Sequence, residues 1–166
     1  MKKALLVIDM QEICIGKNHA DYFKYDESLL TAVNQVIDSS QDKIIVYIRN
    51  LMKNNLINKF APFHAYEGSK GIELTKGLHI VSENIFDKYV GDAFSNKKLD
   101  EFLKSNEVDE IEVIGVDGGA CVAMTALGAL KNGYKVTVNT KAIGTMFEKK
   151  KASYFEKIKK LGAEFI

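Results

Sequence analysis

A cysteine stands at the start of a helical pattern in the stretch "VIGVDGGACVAMTALGALKNG". Cys121 follows two glycines, so its sulfur is expected where the free N–H groups of a helix start and the helix dipole favour an anion. Such a position lowers the pKa of a thiol and makes thiolate available near neutral pH. The same N–H groups could stabilise the oxyanion that forms when a thiolate attacks a carbonyl. Local sequence alone is equally compatible with an inert, buried cysteine.

Two charged residues end apolar runs elsewhere in the chain. Asp9 follows "ALLVI", and Lys88 ends "ENIFDK". Taken alone, Asp9 is more typical of a residue that caps a following turn, and Lys88 of a solvated strand end. Beside a thiol, however, a carboxylate can accept the proton and an ammonium can balance the negative charge. Together with Cys121, the two residues predict nucleophilic chemistry.

Six apolar runs of strand length alternate with stretches of helical period. Their nearly continuous Val and Ile content is typical of parallel strands buried on both faces. The runs are residues 4–8, 43–49, 83–88, 110–116, 135–140 and a terminal "AEFI". Among the helices between them, one has Ser28 as its predicted N-cap and one ends before Gly133, a natural C′ residue. The alternation predicts an α/β fold: a three-layer α/β/α, Rossmann-like single domain over residues 1–166 with a doubly wound parallel sheet.

The predicted sheet places the three chemical residues at one edge. In an open parallel sheet, ligands bind beyond the carboxyl ends of the strands, and Asp9, Lys88 and Cys121 all follow or end strands there. The segment from Leu51 to Lys76 does not fit the alternation. A loop of this length inside one domain is usually functional, often as a lid or a binding wall.

Three further residues are candidates for substrate binding. Phe60 and His64 lie in the long segment and are predicted to line a substrate pocket, although an ordinary surface histidine is the alternative for His64. Gln11 follows Asp9 by two residues and is predicted to orient Asp9 or the loop, with a purely structural role as the alternative.

Composition argues against several other classes of function. The 166 residues carry a net charge of +1 and no basic stripe, which disfavours a nucleic-acid partner. No stretch approaches the roughly 20 apolar residues of a membrane-spanning helix. Two cysteines and no apolar signal segment indicate free thiols in a reducing cytoplasm. The three histidines lack zinc-site clustering, and no dinucleotide fingerprint or P-loop is present, so neither a metal nor a cofactor is expected.

Three blocks of the sequence resemble the signature blocks of the isochorismatase-like cysteine hydrolases. They are "ALLVIDMQ", "KGLHIVSENIFDKYVGDAF" and "VIGVDGGACVAMTALGAL", in that order, and each contains the end of a predicted strand. The family includes nicotinamidases and the carbamoylsarcosine and ureidoacrylate amidohydrolases. The resemblance extends from residue 3 to about residue 140.

The resemblance implies a catalytic triad of Asp9, Lys88 and Cys121. Cys121 would attack the amide carbonyl and form a thioester, with release of an amine or ammonia. Asp9 would take the thiol proton and later help to activate water. Lys88 would stabilise the ionised pair.

The resemblance also implies features around the triad. A cis peptide bond between Val116 and Asp117 would turn the N–H groups of Ala120 and Cys121 toward the oxyanion. Because members of this family are commonly dimers or tetramers, a homodimer or homotetramer is expected, with a small molecule as its substrate.

The chain departs from the family pattern at three glycines and at the metal ligands. Many relatives have Thr-Asp in place of Gly118-Gly119 and an aspartate in place of Gly128, so we expect a nucleophile turn with less bracing by side chains. Nicotinamidases bind a metal through an Asp-x-His pair just after the second strand, where this chain has "RNLMKNN". The lack of those ligands predicts a metal-independent hydrolase.

The leading hypothesis is therefore a metal-independent cysteine amidohydrolase that acts on a small amide or related C–N substrate. The alternative from another class is a small-molecule binding module that has kept the scaffold and lost turnover. Isochorismatase-type hydrolysis is a further alternative, although a vinyl ether is a less natural target for a thiol. A redox protein is disfavoured because no C-x-x-C pair exists and Cys14 is interpreted as a packing residue.

Overall fold

Six parallel strands form one continuous sheet in the computed structural model, which describes residues 2–166. In chain order the strands are β1 (Lys2–Ile8), β2 (Ile44–Asn50), β3 (Ile85–Lys88), β4 (Val108–Val116), β5 (Lys135–Gly144) and β6 (Glu164–Phe165). Their order across the sheet is β3-β2-β1-β4-β5-β6, so the chain builds outward from β1 first on one side and then on the other. The sheet is therefore doubly wound and parallel, as the sequence predicts, and the structure supplies the strand order.

Five helices connect the strands within the described residues. They are α1 (Glu12–Ile15), α2 (Leu29–Asp38), α3 (Lys97–Ser105), α4 (Cys121–Lys131) and α5 (Glu148–Lys160). Helix α2 packs on one face of the sheet, whereas α3, α4 and α5 pack on the other. Within residues 2–166, no helix has the length and apolar character required to cross a membrane.

The central strand β1 supplies both hydrophobic cores. Leu6 and Ile8 face the side covered by α3, α4 and α5, whereas Leu5 and Val7 face α2. All four side chains are fully buried, and burial of each contributes about 1.5–3 kcal/mol. The two cores give the three predicted layers and hold the carboxyl ends of the strands in a fixed arrangement.

The predicted helix and strand ends are close to the observed ones, with two differences. Strand β5 continues to Gly144, beyond its predicted end at residue 140. Ser28 does precede α2, but its hydroxyl donates to Asp26 instead of accepting from the helix, because Ser28 already has helical backbone angles. The prediction for Gly133 is confirmed, since it follows α4 with a φ of +89°.

The segment from Leu51 to Lys76 is irregular apart from two short 3₁₀ turns, Asn58–Phe60 and Lys70–Ile72. Its buried residues Leu51, Ala65 and Ile72 form a small core of their own. An isolated bridge also pairs Leu74 with Gln11, directly beyond β1. The segment is thereby anchored to the edge of the sheet that carries the candidate residues.

Candidate active site

Three strand ends bring Asp9, Lys88 and Cys121 into one cluster. Asp9 follows β1, Lys88 ends β3, and Cys121 opens α4 after β4. The Lys88 ammonium donates to Asp9 Oδ2 at 2.9 Å and to Cys121 Sγ at 3.2 Å. The structure therefore brings these sequence-predicted residues together, as the parallel strand order requires.

The Lys88 ammonium is almost fully enclosed by its partners. Its third contact is with Asn50 Oδ1, at 3.0 Å, so each of its three N–H donors has an acceptor. Burial by itself lowers the pKa of Lys88, but the electrostatic interactions and hydrogen bonds with Asp9 and Cys121 together outweigh burial and raise the pKa above its usual value. Lys88 is therefore positively charged at neutral pH.

One carboxylate oxygen of Asp9 has no partner. Oδ2 is bonded to Lys88, whereas Oδ1 is buried without a hydrogen-bond partner among the described residues. The backbone of Asp9 has a φ of +53°, in the left-handed region that residues other than glycine rarely adopt. Strain of this kind is typical of functional sites. Asp9 Oδ1 is thus placed to accept a proton from a neighbouring group.

The thiol of Cys121 is protonated at neutral pH, contrary to the expectation of a ready thiolate. Burial, followed by the charge of Asp9, raises the pKa of Cys121 to about 12, while Lys88 acts in the opposite direction. The loss of water and the adjacent carboxylate therefore outweigh the nearby lysine. A thiolate at this position requires an acceptor that takes the proton during the reaction.

The turn before Cys121 is held by the side chain of Asp117. The peptide bond between Val116 and Asp117 is cis, at the position that the resemblance implies. Asp117 Oδ1 accepts from the N–H of Gly119 at 2.7 Å, and Oδ2 accepts from the N–H of Met146. One carboxylate therefore links this turn to the segment that follows β5.

The N–H groups of the turn are not equally free. The N–H of Ala120 donates to the carbonyl of Asp117 at 3.0 Å. It is therefore engaged within the turn, whereas the family resemblance implies that it faces a ligand. The N–H of Cys121 has no hydrogen-bond partner within residues 2–166. The N–H of Cys121 is therefore a free donor at this helix start.

Close packing explains the two glycines of the turn. A Cβ on Gly119 would lie 2.3 Å from the carbonyl oxygen of Phe147 and 2.9 Å from the backbone nitrogen of Lys151. A Cβ on Gly118 would lie 2.5 Å from Thr145 Oγ1. The Thr-Asp pair of relatives has no room here, and the turn is nevertheless braced, because Asp117 and this packing hold it.

The third glycine departure, Gly128, lies against a carboxylate from another part of the chain. A Cβ on Gly128 in α4 would lie 2.2 Å from Asp92 Oδ1. Asp92, which follows β3, accepts from the N–H of Phe94 at 2.9 Å, and burial raises its pKa above the usual value. Where many relatives have an aspartate on the helix, this chain places a carboxylate against the helix from a neighbouring turn.

A cavity of about 160 Å³ lies beside Asp9 and Cys121. No lysine, arginine or histidine is among the described residues that line it. Five aromatic side chains contribute to its wall: Tyr22, Phe23, Tyr25, Phe63 and Phe147. Burial, and then the nearby carboxylate of Asp117, raise the pKa of Tyr25, so its hydroxyl is neutral. The cavity is suited to a small, uncharged, flat group.

The sequence gives little indication of these aromatic residues. Three of them stand in "DYFKY", residues 21–25, and this aromatic density is the signal that could have indicated them.

Cys14, which the sequence predicts to be a packing residue, does pack in the core beside α2. It also lines the cavity that contains Cys121, and both thiols are free.

The other predicted binding residues have different outcomes. Gln11 lines the cavity and is buried, with its Nε2 donating to the carbonyl of Ile72 at 2.9 Å. The structure does not bring Phe60 or His64 to the cavity. Phe60 is 85% exposed, and His64 is exposed and stacked on Tyr66. The 3₁₀ turn at Asn58–Phe60 directs Phe60 outward, and the nearby aromatic residue that reaches the cavity is Phe63.

The residues at the carboxyl end of β2 do not fit a metal ion. Arg49 donates to Asp87 Oδ1 at 2.7 Å, and Asn50 Oδ1 is engaged by Lys88. A guanidinium and an amide oxygen that is already engaged are poor ligands for a metal ion, and the stretch "RNLMKNN" contains no Asp-x-His pair. Within residues 2–166, His, Cys, Asp and Glu side chains form no group of three or more that could hold a metal.

Comparisons with known proteins identify a family and relatives of the chain. The family model described as the isochorismatase domain matches residues 3–166. A nicotinamidase of Escherichia coli (strain K12) is 33% identical, with 83% of this chain and 81% of the relative covered. A probable inactive nicotinamidase of Arabidopsis thaliana is 28% identical, with 84% of this chain and 79% of the relative covered.

A solved structure has the same fold over nearly the whole chain. The crystal structure of a pyrazinamidase/nicotinamidase from Streptococcus mutans superposes with a TM-score of 0.85 at 25% sequence identity. The superposition covers 99% of this chain and 100% of the other. The six-stranded sheet and the strand ends that carry the cluster thus belong to an architecture that is found in amidases.

Proposed function

This chain belongs to the isochorismatase domain family, and from that membership we propose that it is a cysteine hydrolase that cleaves a small amide or related C–N substrate through a thioester, without a metal ion. The observation that carries the proposal is the double contact of the Lys88 ammonium, with Asp9 Oδ2 and with Cys121 Sγ, beside a cavity. The free Asp9 Oδ1 completes it, because a protonated thiol needs an acceptor.

The first half of the reaction forms the thioester. Asp9 Oδ1 takes the proton of the Cys121 thiol while the sulfur forms a bond to the carbonyl carbon. Lys88 remains charged and stabilises the sulfur as its negative charge develops. The tetrahedral intermediate then breaks its C–N bond, and the departing nitrogen takes the proton from Asp9.

The oxyanion of that intermediate needs hydrogen-bond donors. The free N–H of Cys121 is one donor, at the start of a helix whose dipole favours negative charge. Ala120, which the family resemblance implies as a second donor, contributes only if its N–H leaves the carbonyl of Asp117.

The second half of the reaction hydrolyses the thioester. Asp9 takes a proton from a water molecule that attacks the acyl carbon, and the C–S bond breaks. Asp9 then returns a proton to the sulfur of Cys121, and a carboxylic acid leaves the cavity. Asp9 thus exchanges a proton twice in each cycle, which suits a carboxylate with one permanent partner and one free oxygen.

The cavity supports an acyl group without charge. A buried carboxylate on the substrate would require a cationic partner, and none lines the cavity in the described part of the chain. Isochorismate carries two carboxylates, so isochorismatase-type hydrolysis is the weaker alternative. Aromatic walls favour a flat acyl group of the kind that planar amides provide.

The second candidate function is small-molecule binding by a module that has lost turnover. Its support is the relative from Arabidopsis thaliana, which is described as probably inactive, together with the departures at Gly118, Gly119 and Gly128. The close contacts at these glycines reduce that support, because they indicate a turn adapted to its own neighbours. A binding module would be stabilised by a small amide without forming product.

The test is release of ammonia or amine from a panel of small neutral amides, by the wild type, Cys121→Ala and Cys14→Ser. We expect product from the wild type and from Cys14→Ser, and none from a folded Cys121→Ala. Incubation with an activated acyl donor should add one acyl mass, localised to Cys121. Equal release by Cys121→Ala would overturn the proposal.

Two controls accompany this test. A chelator should leave turnover unchanged if no metal takes part. Light scattering over a range of protein concentrations measures whether the chain forms the homodimer or homotetramer, which stays a prediction, as does the cytoplasmic location.

A further inference from the structure

Asn50, the last residue of β2, contacts both Lys88 of the cluster and the neighbouring Gln11. Its side-chain Oδ1 accepts from Lys88 Nζ at 3.0 Å. Its backbone N–H donates to Gln11 Oε1 at 2.8 Å, and its carbonyl accepts from Gln11 Nε2 at 3.2 Å. Because Gln11 is buried and also bonded to Ile72, the backbone of Asn50 is held in place.

We propose that Asn50 is a positioning residue, whose neutral amide oxygen holds the Lys88 ammonium between Asp9 and Cys121. This rests on the proposed function, in which Lys88 stabilises the developing thiolate. The ammonium has three N–H donors, and Asn50 takes the one that neither Asp9 nor Cys121 uses. Without that acceptor, the ammonium gains a free donor and can move away from the sulfur.

The neutrality of Asn50 matters as much as its hydrogen bond. An aspartate at this position would have nearly the same shape but would add a second carboxylate to Lys88. It would compete with the thiolate for the buried ammonium of Lys88 and would raise the pKa of Cys121 further. An amide holds Lys88 without that competition.

The experiment compares Asn50→Asp and Asn50→Ala with Asn54→Asp, which adds the same charge at an exposed residue outside the cavity. All are made in a Cys14→Ser background, so that Cys121 is the single reactive thiol. Iodoacetamide alkylation at pH 9 reports the thiolate fraction, and thermal melting confirms that each variant is folded. Alkylation needs no turnover, so its result does not depend on the proposed function.

We expect Asn50→Asp to alkylate about tenfold more slowly than the parent, which corresponds to a rise of about one unit in the thiol pKa. Asn50→Ala should be slowed less, and Asn54→Asp should match the parent. Both Asn50 variants should lose kcat more than they raise KM on any amide that the enzyme cleaves. Parent-like alkylation by folded Asn50→Asp would overturn the inference. A slowed Asn50→Asp in a protein that cleaves no amide would uphold the positioning role and contradict the hydrolase.

Discussion

The Lys88 ammonium and the Asp9 carboxylate form an ion pair, 2.9 Å long, in which the side chain of Lys88 is 0% exposed and that of Asp9 is 6% exposed. Withdrawing two charges from water costs free energy that only their mutual attraction and further hydrogen bonds offset. The pair therefore makes each partner depend on the other for the stability of the fold, whatever its chemical role.

Lys88→Met should destabilise the protein strongly, because it leaves the Asp9 carboxylate buried without a cation. We expect the free energy of unfolding to fall by about 3–5 kcal/mol. Urea denaturation measures the change. The double variant Asp9→Asn with Lys88→Met should recover part of the loss, since both charges are then absent. Strictly additive effects of the two substitutions would contradict a coupled pair.

The raised pKa of Cys121 predicts an unusual pH dependence for a proposed nucleophile. The alkylation rate of the free protein should be low at pH 7 and should continue to rise through pH 10, because the thiolate fraction grows only toward a pKa of about 12. Mass spectrometry of the Cys14→Ser variant measures this rate at a single thiol. Rapid alkylation with a midpoint near pH 7 would show that the thiolate forms without a base.

Asp9→Asn should increase the thiolate fraction of Cys121 and at the same time abolish turnover. Removing the carboxylate removes a charge that raises the pKa of Cys121, whereas Lys88 still favours the anion. Alkylation at pH 8 should therefore become faster than in the parent. Hydrolysis should nevertheless be lost, because no group accepts the thiol proton and returns it to the leaving nitrogen. Retained hydrolysis by this variant would exclude Asp9 as the base.

The meeting of Asp9, Lys88 and Cys121 is predictable from the sequence for a general reason. Each residue stands at the carboxyl end of an apolar run, and parallel strands carry all such ends to one edge. The alternation of strands and helices was sufficient to place them, without knowledge of any contact.

The wall of the cavity is not predictable in the same way. Phe60 and Phe63 stand three residues apart in a segment without regular period, and only the observed backbone shows that Phe63 faces the cavity. Asn50 carries no local signal either, because its role depends on the register that places it opposite Lys88 in the neighbouring strand. The pKa of the Cys121 thiol depends on burial by several elements. The expectation of a lowered pKa, which used only the position of Cys121 at a helix start, was therefore wrong.

Gly128 offers a test in which the sign of the effect is decisive. Alanine normally stabilises a helix interior relative to glycine by about 0.5–1 kcal/mol. At this position a Cβ would meet Asp92 Oδ1 at 2.2 Å, so Gly128→Ala should instead lower the free energy of unfolding by about 1–3 kcal/mol. Adding Asp92→Ser, which shortens the side chain but keeps an oxygen for the N–H of Phe94, should restore most of the loss. Urea denaturation of Gly128→Ala, of Asp92→Ser and of the double variant measures the three free energies of unfolding that a double-mutant cycle needs. A more stable Gly128→Ala would mean that the carboxylate moves aside freely, and the two positions would then not be complementary.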